Sequence, residues 1–211
     1  MDIDPRQQSA QANYKLLTNL VVPRPIAWVT SLGEQGQVNL APFSFFNALS
    51  ADPVLLGFSV GCYEDGRLRD TGVNILRHHE FVVHMVTEDF MDVMNLSATD
   101  FPASRSEVEI CGLRTQPSLH IQVPRLPDVQ VSMECRLYKH IELGKNLLVL
   151  GEVLMFHVQD ERVGERLHIH DFYPIGRMGS PSRYCRTDHV FDVPRITYEH
   201  WCKESEDQNR S

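Results

Sequence analysis

The chain has 211 residues and a formal net charge of −8 at pH 7, with 42% hydrophobic and 23% charged residues. This length allows one domain with a full core, and the composition is that of an ordinary globular protein. The acidic balance argues against nucleic acid or an anionic membrane as a partner, and no run approaches the roughly 20 apolar residues of a membrane span. A polar, acidic N-terminus without signal-peptide character and five cysteines without a C-x-x-C pair favour reduced thiols in the cytoplasm.

The first part of the chain predicts a short helix followed by closely spaced strands. Residues 12–20 carry leucines on one side, as an amphipathic helix does. Pro23 and Pro25 exclude a helix immediately before Ile26. The residues that follow are rich in β-branched and aromatic side chains and are interrupted by glycine and proline turns. We therefore predict three strands joined by tight turns, at 26–30, 38–46 and 54–59.

The middle of the chain alternates helices and strands and then predicts a long hairpin. Thr87 is a good N-cap residue because two carboxylates follow it in the first turn of a helix. The elements are, in chain order, a helix at 67–79, a strand at 81–86, a helix at 88–96, an irregular stretch at 97–119 with a short helix from Ser106, and paired strands at 129–141 and 147–158. Short antiparallel strands of this kind predict a barrel or a sandwich.

Small polar residues interrupt the apolar strands of the first part. A buried hydroxyl or amide group costs several kcal/mol unless it is hydrogen-bonded, so each of these residues either satisfies local backbone or contacts a ligand. For any one of them, the local role is the simpler interpretation. For the group at 44–47 we favour a ligand, because two aromatic rings flanked by a hydroxyl and an amide suit a flat ring with polar edges. The polar residues are Thr30, Ser31, Asn39, Ser44, Asn47 and Ser59.

A second candidate site is the start of the helix predicted at 67–79. Helix N-termini present unpaired N–H groups and a positive end, which stabilise a phosphate. Arg69 adds a permanent charge whose planar fork matches phosphate oxygens, and Thr71 adds a hydroxyl donor. Asn74 lies one turn further on the same face. From these residues alone, an ordinary solvated helix start capped by Asp70 is the favoured alternative.

Other kinds of site are disfavoured. His168 and His170 would share one face of a strand beside Asp171, but a third ligand is not evident, so we predict no metal. No histidine–cysteine signature indicates a nucleophile. The G-x-G-x-x-G motif is missing, so no Rossmann domain is expected.

Taken in order, several motifs resemble the flavin reductase-like family. These are PRPIAWVT at 23–30, VNLAPFSFFN at 38–47, SADP at 50–53, Arg69-Asp70-Thr71 with Asn74-Ile75, LGEV at 150–153, and GRMG at 176–179 with Tyr184. Members of this family are FMN-binding split barrels, and they include reductase components of two-component monooxygenases and flavoredoxin-type proteins. The resemblance covers about residues 14–195. It implies a single domain over 1–211, a mainly β, Greek-key split barrel with peripheral helices.

The resemblance also implies where FMN binds. The isoalloxazine edge and the ribityl chain would be contacted by Thr30, Ser31, Ser44, Phe45, Phe46 and Asn47. The phosphate would be held by Ser59, Arg69, Thr71 and Asn74. Asp70, also part of the cofactor site, would cap the helix or pair with a neighbouring arginine. Arg177 would contact the ring or an incoming nicotinamide, and a salt bridge that pins the C-terminal segment is the alternative.

The implied activity is that of an FMN-dependent oxidoreductase of the flavin reductase type. Reducing equivalents would pass from NADH or NADPH to the bound flavin, and then to an acceptor or a monooxygenase partner. No catalytic side chain is assigned, because hydride would reach the ring directly.

Two departures from the family pattern keep other functions open. Arg69 stands where the family usually has lysine, which keeps the charge. Residues 144–147 read GKNL where short-chain flavin reductases carry Gly-Asp-His, and in them that histidine serves the nicotinamide. The second departure favours an FMN-binding electron carrier that does not use free NAD(P)H, and a non-catalytic flavin-binding module is also open.

The family resemblance implies a homodimer as well. A split barrel leaves part of a flat ring uncovered, and in the family the partner subunit covers it. We expect exposed apolar residues around Trp28, Phe43 and Phe45 to form the contact, because monomers rarely tolerate a large apolar patch.

Overall fold

A computed structural model describes residues 1–179 and 181–202 of the chain. The elements within these residues include α-helices, strands and short 3₁₀ turns at Pro5–Gln7, Glu88–Phe90, Asp160–Arg162 and Glu165–Leu167, and residues 198–202 are also helical. In chain order they are α1 (Ala10–Leu20), β1 (Ala27–Leu32), β2 (Val38–Phe43), β3 (Phe46–Ala51), β4 (Val54–Val60), α2 (Asp70–His78), β5 (Glu80–Met85), α3 (Met91–Leu96), α4 (Glu107–Ile110), β6 (Val131–Leu143), β7 (Asn146–Val158), β8 (Gly176–Arg177) and β9 (Tyr184–Cys185).

Seven strands form one antiparallel sheet in the order β2-β1-β5-β6-β7-β4-β3. The edge strands β2 and β3 are separated in sequence only by Ser44 and Phe45, and β2 also contacts β4. Two edges joined by so short a link require the sheet to curl until they meet. The fold is therefore a mainly β split barrel with peripheral helices, as predicted.

Strand β1 is buried on both faces, which explains its continuous apolar run. Ala27 and Val29 face the barrel core, where Phe58 and Phe81 pack with ring centroids 5.5 Å apart. Ile26 and Trp28 belong to a second core, whose other members include residues of α3 and α4. Successive side chains of a strand point to opposite faces, so Thr30 and Ser31 also lie on different sides of the sheet.

The LGEV motif has a packing reason. A Cβ atom on Gly151 would lie 2.3 Å from Cζ of the buried Phe81 ring. Only glycine at position 151 lets the Phe81 ring of β5 lie this close to the backbone of β7.

The long hairpin and the short helix at Ser106 are confirmed. Strands β6 and β7 pair from Val131 to Val158, and their turn contains Gly144 with φ of 61°. Ser106 is the N-cap of α4, where its hydroxyl accepts a hydrogen bond from the Glu109 N–H at 3.4 Å.

The predicted strand at 38–46 was wrong, because the structure divides it into β2 and β3 at Ser44 and Phe45. The division occurs where the chain passes from one edge of the barrel to the other. The turn predicted over residues 50–53 is shorter than expected, because β3 continues to Ala51 and β4 begins at Val54.

The helix predicted at 67–79 begins later, at Asp70. Residues before it are extended, since the Arg69 N–H donates to the Gly61 carbonyl at 3.2 Å and Arg69 has ψ of 150°. Arg69 is thus the N-cap residue, and the prediction of Asp70 as the cap was wrong. The Asp70 carboxylate instead accepts a hydrogen bond from the Tyr63 hydroxyl at 3.0 Å.

The helix predicted at 88–96 is a 3₁₀ turn followed by α3. Thr87 precedes this turn, but its hydroxyl makes no capping hydrogen bond. Thr87 therefore occupies the predicted N-cap position but does not cap the turn through its side chain.

The apolar patch expected around Trp28 and Phe43 was also wrong. Trp28 is 0% exposed and Phe43 is 8% exposed, because both belong to the cores. Phe45 is half-buried. Within the residues described, no helix combines the length and apolar character needed to cross a bilayer, and no cluster of His, Cys, Asp or Glu side chains is arranged to hold a metal ion.

Candidate functional site

Three adjoining cavities of about 230, 180 and 330 Å³ lie along one side of the barrel. The first is bounded by β2, the start of α2 and residues 97–101. It shares Pro42 and Ala98 with the second cavity, and the second shares Ser44 with the third. The three cavities therefore adjoin at shared residues, between the start of α2 and the C-terminal segment.

A buried polar cluster stands at the base of the first cavity. The Asn39 side-chain amide donates to Thr71 Oγ1 at 2.9 Å and to Ser31 Oγ at 3.3 Å, and the Asn74 amide donates to Ser31 Oγ at 3.1 Å. All four residues are buried. The structure thus brings together three predicted residues, Ser31, Thr71 and Asn74.

The fourth member, Asn39, was noted as a polar residue in an apolar strand but not assigned to the site. Its partner Ser31 is also its register partner across β1 and β2. Thr71 and Asn39 line the first cavity. Because a hydroxyl has one donor and two acceptor positions, Thr71 Oγ1 can accept from Asn39 and donate its own proton into the cavity.

Arg69 lies at the mouth of the first cavity and is already engaged. Its Nη1 lies 2.5 Å from Asp100 Oδ1, and its guanidinium stacks 4.8 Å from the centre of the Tyr63 ring. Arg67 contacts the same ring at 5.2 Å but does not line the cavity. Arg69 therefore offers the cavity a positive charge that a carboxylate partly neutralises.

Two further carboxylates line this cavity, Asp70 and Glu107. The Glu107 carboxylate accepts a hydrogen bond from the Leu40 N–H at 3.0 Å. Burial raises the pKa of Glu107, and the hydrogen bonds from backbone N–H groups oppose this only in part. A raised pKa makes the neutral form easier to reach, which reduces the cost of placing an anion near Glu107.

Arg177 and Ser44 line the second cavity together with Tyr184. The Arg177 guanidinium stacks 4.7 Å from the centre of the Tyr184 ring. Backbone hydrogen bonds of 2.8 and 2.9 Å join Arg177 to Arg24, so the C-terminal segment returns to the PRP motif. In the described part of the chain no carboxylate lies within ion-pair distance of Arg177, and its geometry is that of a stacked cation facing a cavity.

The predicted group at 44–47 divides between two cavities. All four residues line the third cavity, and Ser44 also lines the second. Phe45 stacks on Tyr14 with ring centroids 6.2 Å apart. The Asn47 side chain accepts from the Ala48 N–H at 2.9 Å.

Two predicted residues are placed differently. Thr30 is fully buried on the other face of β1, where its hydroxyl donates to the Pro124 carbonyl at 2.9 Å. Ser59 lies in β4, and its N–H donates to the Phe45 carbonyl at 2.9 Å. Neither lines one of the three cavities, so the structure does not bring them to the Ser31–Thr71 cluster.

This arrangement can bind an elongated ligand with an anionic end and a flat end. The start of α2 supplies N–H groups, a hydroxyl and a guanidinium for the anion. Beyond Pro42 the surface continues past Ser44 to the stacked Arg177. The shape and the donor set fit FMN, which has a phosphate, a polyhydroxyl chain and a flat ring with polar edges.

Comparison with known proteins identifies the family of the chain. The family model for the flavin reductase like domain matches residues 19–176. The chain is 35% identical to nitrilotriacetate monooxygenase component B from Bacillus cereus, with a TM-score of 0.87 and coverage of 92% of this chain and 98% of that one. It is 36% identical to 2-nitrobenzoate 2-nitroreductase from Pseudomonas fluorescens, with a TM-score of 0.85 and coverage of 94% and 98%.

A third similar structure supports the fold alone. It is a protein with a split barrel domain from Shewanella frigidimarina, 18% identical, with a TM-score of 0.79 and coverage of 93% of this chain and 100% of that one. The matched range includes β1 to β7 and the whole cluster at the start of α2. The chain belongs to the flavin reductase-like family.

Proposed function

We propose that the protein is an FMN-dependent oxidoreductase of the flavin reductase type. The observation that carries this proposal is the cluster of Asn39, Arg69 and Thr71 at the start of α2, which is continuous with the surface that bears Ser44 and Arg177. Family membership supports a flavin as the ligand, and the anion site supports a phosphorylated one.

The residues form two groups, one at the phosphate end of FMN and one at its ring. Arg69, Thr71 and the first N–H groups of α2 bind the phosphate, and Asn39 and Asn74 hold the Thr71 and Ser31 hydroxyls in place. Ser44 and the aromatic residues after it line the ring. When bound, FMN supplies the redox chemistry. Arg177, held against Tyr184, places a positive charge where it favours an electron-rich ring.

We propose NADH or NADPH as the reductant. A carrier that receives electrons from a protein partner is the second candidate, because the β6–β7 turn lacks the Gly-Asp-His of short-chain flavin reductases. This turn lies beside the site, since Cys62 Sγ lies 2.9 Å from the Lys145 carbonyl and Gly61 lines the first cavity. Asn146 thus stands at the position of the family histidine, and its Oδ1 would lie 3.7 Å from a Cβ atom built on Gly61.

For the acceptor we propose a monooxygenase component or a small oxidised substrate. The two similar structures above 30% identity are named as a monooxygenase component and as a nitroreductase. Each name describes that protein alone. We transfer only the general part, which is a role in a redox reaction, and family membership supports a bound flavin as the group that carries it. The free thiols of the five cysteines fit a cytoplasmic location.

We also propose a homodimer, on a basis different from the one expected. Residues 190–196, here called the apolar arm, carry Val190, Phe191, Val193 and Ile196, which are 64–87% exposed. The arm follows Arg186, which forms two hydrogen bonds of 2.6 and 2.7 Å with Glu88. Four large apolar side chains exposed in so short a segment favour contact with a second copy of the chain.

The test of the proposed function is spectroscopic. The purified protein should carry flavin absorbance or bind added FMN with micromolar affinity, and anaerobic NADH or NADPH should bleach the bound flavin faster than an equal concentration of free FMN. Bleaching only by a reduced protein partner would favour the carrier. A protein that shows no flavin absorbance and leaves the fluorescence of added FMN unquenched would refute the proposal.

A further inference from the structure

The first cavity is crossed by a strap, which we define as residues 97–106. Ser97 fixes one end, because its buried hydroxyl accepts from Trp28 Nε1–H at 2.9 Å and donates to the Met94 carbonyl at 2.8 Å. Ser106 fixes the other end by donating to the Val38 carbonyl at 2.7 Å. Residues 97–101 of the strap line the cavity.

Between these ends the strap has few ties to the rest of the barrel. The Gln37 side chain donates to the Ala103 carbonyl at 2.7 Å. Asp100 forms an ion pair of 2.5 Å with Arg69. Among the described residues, this ion pair joins the strap to the start of α2. The Arg69 side chain is 38% exposed and that of Asp100 is 58% exposed. An ion pair this exposed is a weak interaction, so a stronger anion can replace it.

A ligand phosphate at the start of α2 would compete with Asp100. Both are anions that hydrogen-bond to the guanidinium of Arg69, and a phosphate monoester carries more charge than a carboxylate. Asp100 also repels a phosphate nearby. The neighbouring donor Thr71 lies deeper and has no such competitor, since its partner is the neutral Asn39 amide.

We propose that Asp100 is a specificity-determining residue, which lowers the preference of the site for phosphorylated over unphosphorylated flavin by competing for Arg69. The inference rests on the proposed function, because it takes the anion to be the phosphate of FMN. Binding of FMN opens the Asp100–Arg69 pair and releases the middle of the strap. Riboflavin leaves the pair closed, so Asp100 has no effect on its affinity.

The first test compares Asp100→Asn with the wild type. FMN affinity should rise about two- to fivefold, the range expected for loss of one exposed competing ion pair, and riboflavin affinity should stay within error. Asp65→Asn is the matched control, because Asp65 pairs with Arg67 at 2.7 Å beside the same Tyr63 ring but outside the cavity. It should change neither affinity.

Opposite results would overturn the proposal. Weaker FMN binding in Asp100→Asn would mean that Asp100 positions Arg69 for the phosphate. Equal gains for FMN and riboflavin, or no gain, would mean that the carboxylate does not compete. In an Arg69→Ala background the substitution should improve FMN affinity less than it does in the wild type, because only the direct repulsion between Asp100 and the phosphate remains. A gain of the same size there would contradict competition for Arg69.

A ligand-free measurement separates this inference from the proposed function. Hydrogen–deuterium exchange of residues 98–104 should be faster in Asp100→Asn than in the wild type and unchanged in Asp65→Asn. Inorganic phosphate, compared with chloride at equal ionic strength, should speed this exchange in the wild type but not in Arg69→Ala. If these exchange changes are seen but the protein binds no flavin, only the proposed function is refuted. If exchange is unchanged in Asp100→Asn, the inference that the Asp100–Arg69 pair holds the strap is refuted.

Discussion

Replacement of Arg69 by alanine tests the phosphate end of the site most directly. Arg69 lies at the mouth of the first cavity, with Nη1 bound to Asp100 and its guanidinium on Tyr63. Riboflavin shares the ring and the ribityl chain of FMN but has no phosphate. Arg69→Ala should therefore weaken FMN binding and leave riboflavin binding almost unchanged.

The exposure of Arg69 and its ion pair with Asp100 place the expected effect just below the usual range for such a hydrogen bond. A hydrogen bond to a charged group contributes about 1.5–3 kcal/mol. Because Arg69 is more than a third exposed and shares its guanidinium with Asp100, we expect about 1–1.4 kcal/mol, or about a five- to tenfold loss of FMN affinity. Added salt should weaken FMN binding more in the wild type than in Arg69→Ala, because screening acts on the charge that the variant lacks.

The assay is a titration of apoprotein with each flavin, followed by quenching of flavin fluorescence. Arg67→Ala is the control, since Arg67 contacts the same Tyr63 ring and pairs with Asp65 without lining the cavity. It should change neither affinity. Equal losses for FMN and riboflavin in Arg69→Ala would show that Arg69 supports the fold, and no loss for either would refute the phosphate site at α2.

Three further predictions concern the buried donor, acid stability and assembly. Thr71→Val should weaken FMN binding about tenfold, since it removes one hydrogen bond to the ligand and leaves the Asn39 amide only its longer bond to Ser31, whereas Thr71→Ser should retain most of the affinity. His84 is fully buried with a pKa lowered to about 4, chiefly by burial, and its Nε2 accepts from the Leu126 N–H while Nδ1–H donates to the Trp28 carbonyl. The unfolded state binds a proton near pH 6.5, whereas the folded state does not until about pH 4. The free energy of unfolding, measured with urea, should therefore fall by up to about 3 kcal/mol as the pH is lowered from 6.5 to 4. A flat profile over this range would contradict the neutral buried ring. Phe191→Asp in the apolar arm should convert a dimer to a monomer in light scattering, while Leu167→Asp, at a similarly exposed position outside the arm, should not; two variants that stay dimeric would exclude the arm as the contact.

Local patterns were enough to predict the positions of most strands. The prolines before Ile26, the glycine turns and the β-branched runs act within a few residues of the chain, so β1, β4, β5 and the β6–β7 hairpin follow from them. The break between β2 and β3 has no such signal. It arises because the barrel must close, and closure is a property of the whole sheet.

The predicted start of α2 failed for a related reason. The residues at 67–69 have ordinary helix propensity, but the Arg69 N–H bonds to Gly61 and Tyr63 N–H bonds to Arg67, which holds this stretch extended beside the preceding loop. Tertiary contacts override propensity here. The result places the side chain of Arg69, rather than that of Asp70, at the position before the first helical turn.

Part of the candidate site was predicted from the sequence. The residues that were predicted lie in regular strands and helices, and those that were missed lie in an irregular stretch. Ser31, Thr71 and Asn74 lie on β1 and α2, whose geometry fixes which side chains meet. Asp100 and Glu107 come from the irregular stretch at 97–119. No periodicity indicates where such a stretch will lie, so neither carboxylate could be assigned to the cavity from the sequence.

Burial decides which of the two proposed hydrogen-bond donors to the phosphate, Arg69 or Thr71, should contribute more to FMN affinity. Arg69 marks the anion site in the sequence because it carries the charge, yet it is exposed to solvent and partly neutralised by Asp100. Thr71 is neutral but 2% exposed, and its hydroxyl is oriented by the Asn39 amide. Hydrogen bonds strengthen where water is excluded, and a buried donor left without a partner is costly. We therefore expect Thr71→Val to reduce FMN affinity at least as much as Arg69→Ala, and the loss in Thr71→Val to persist at high salt, where the contribution of Arg69 is screened.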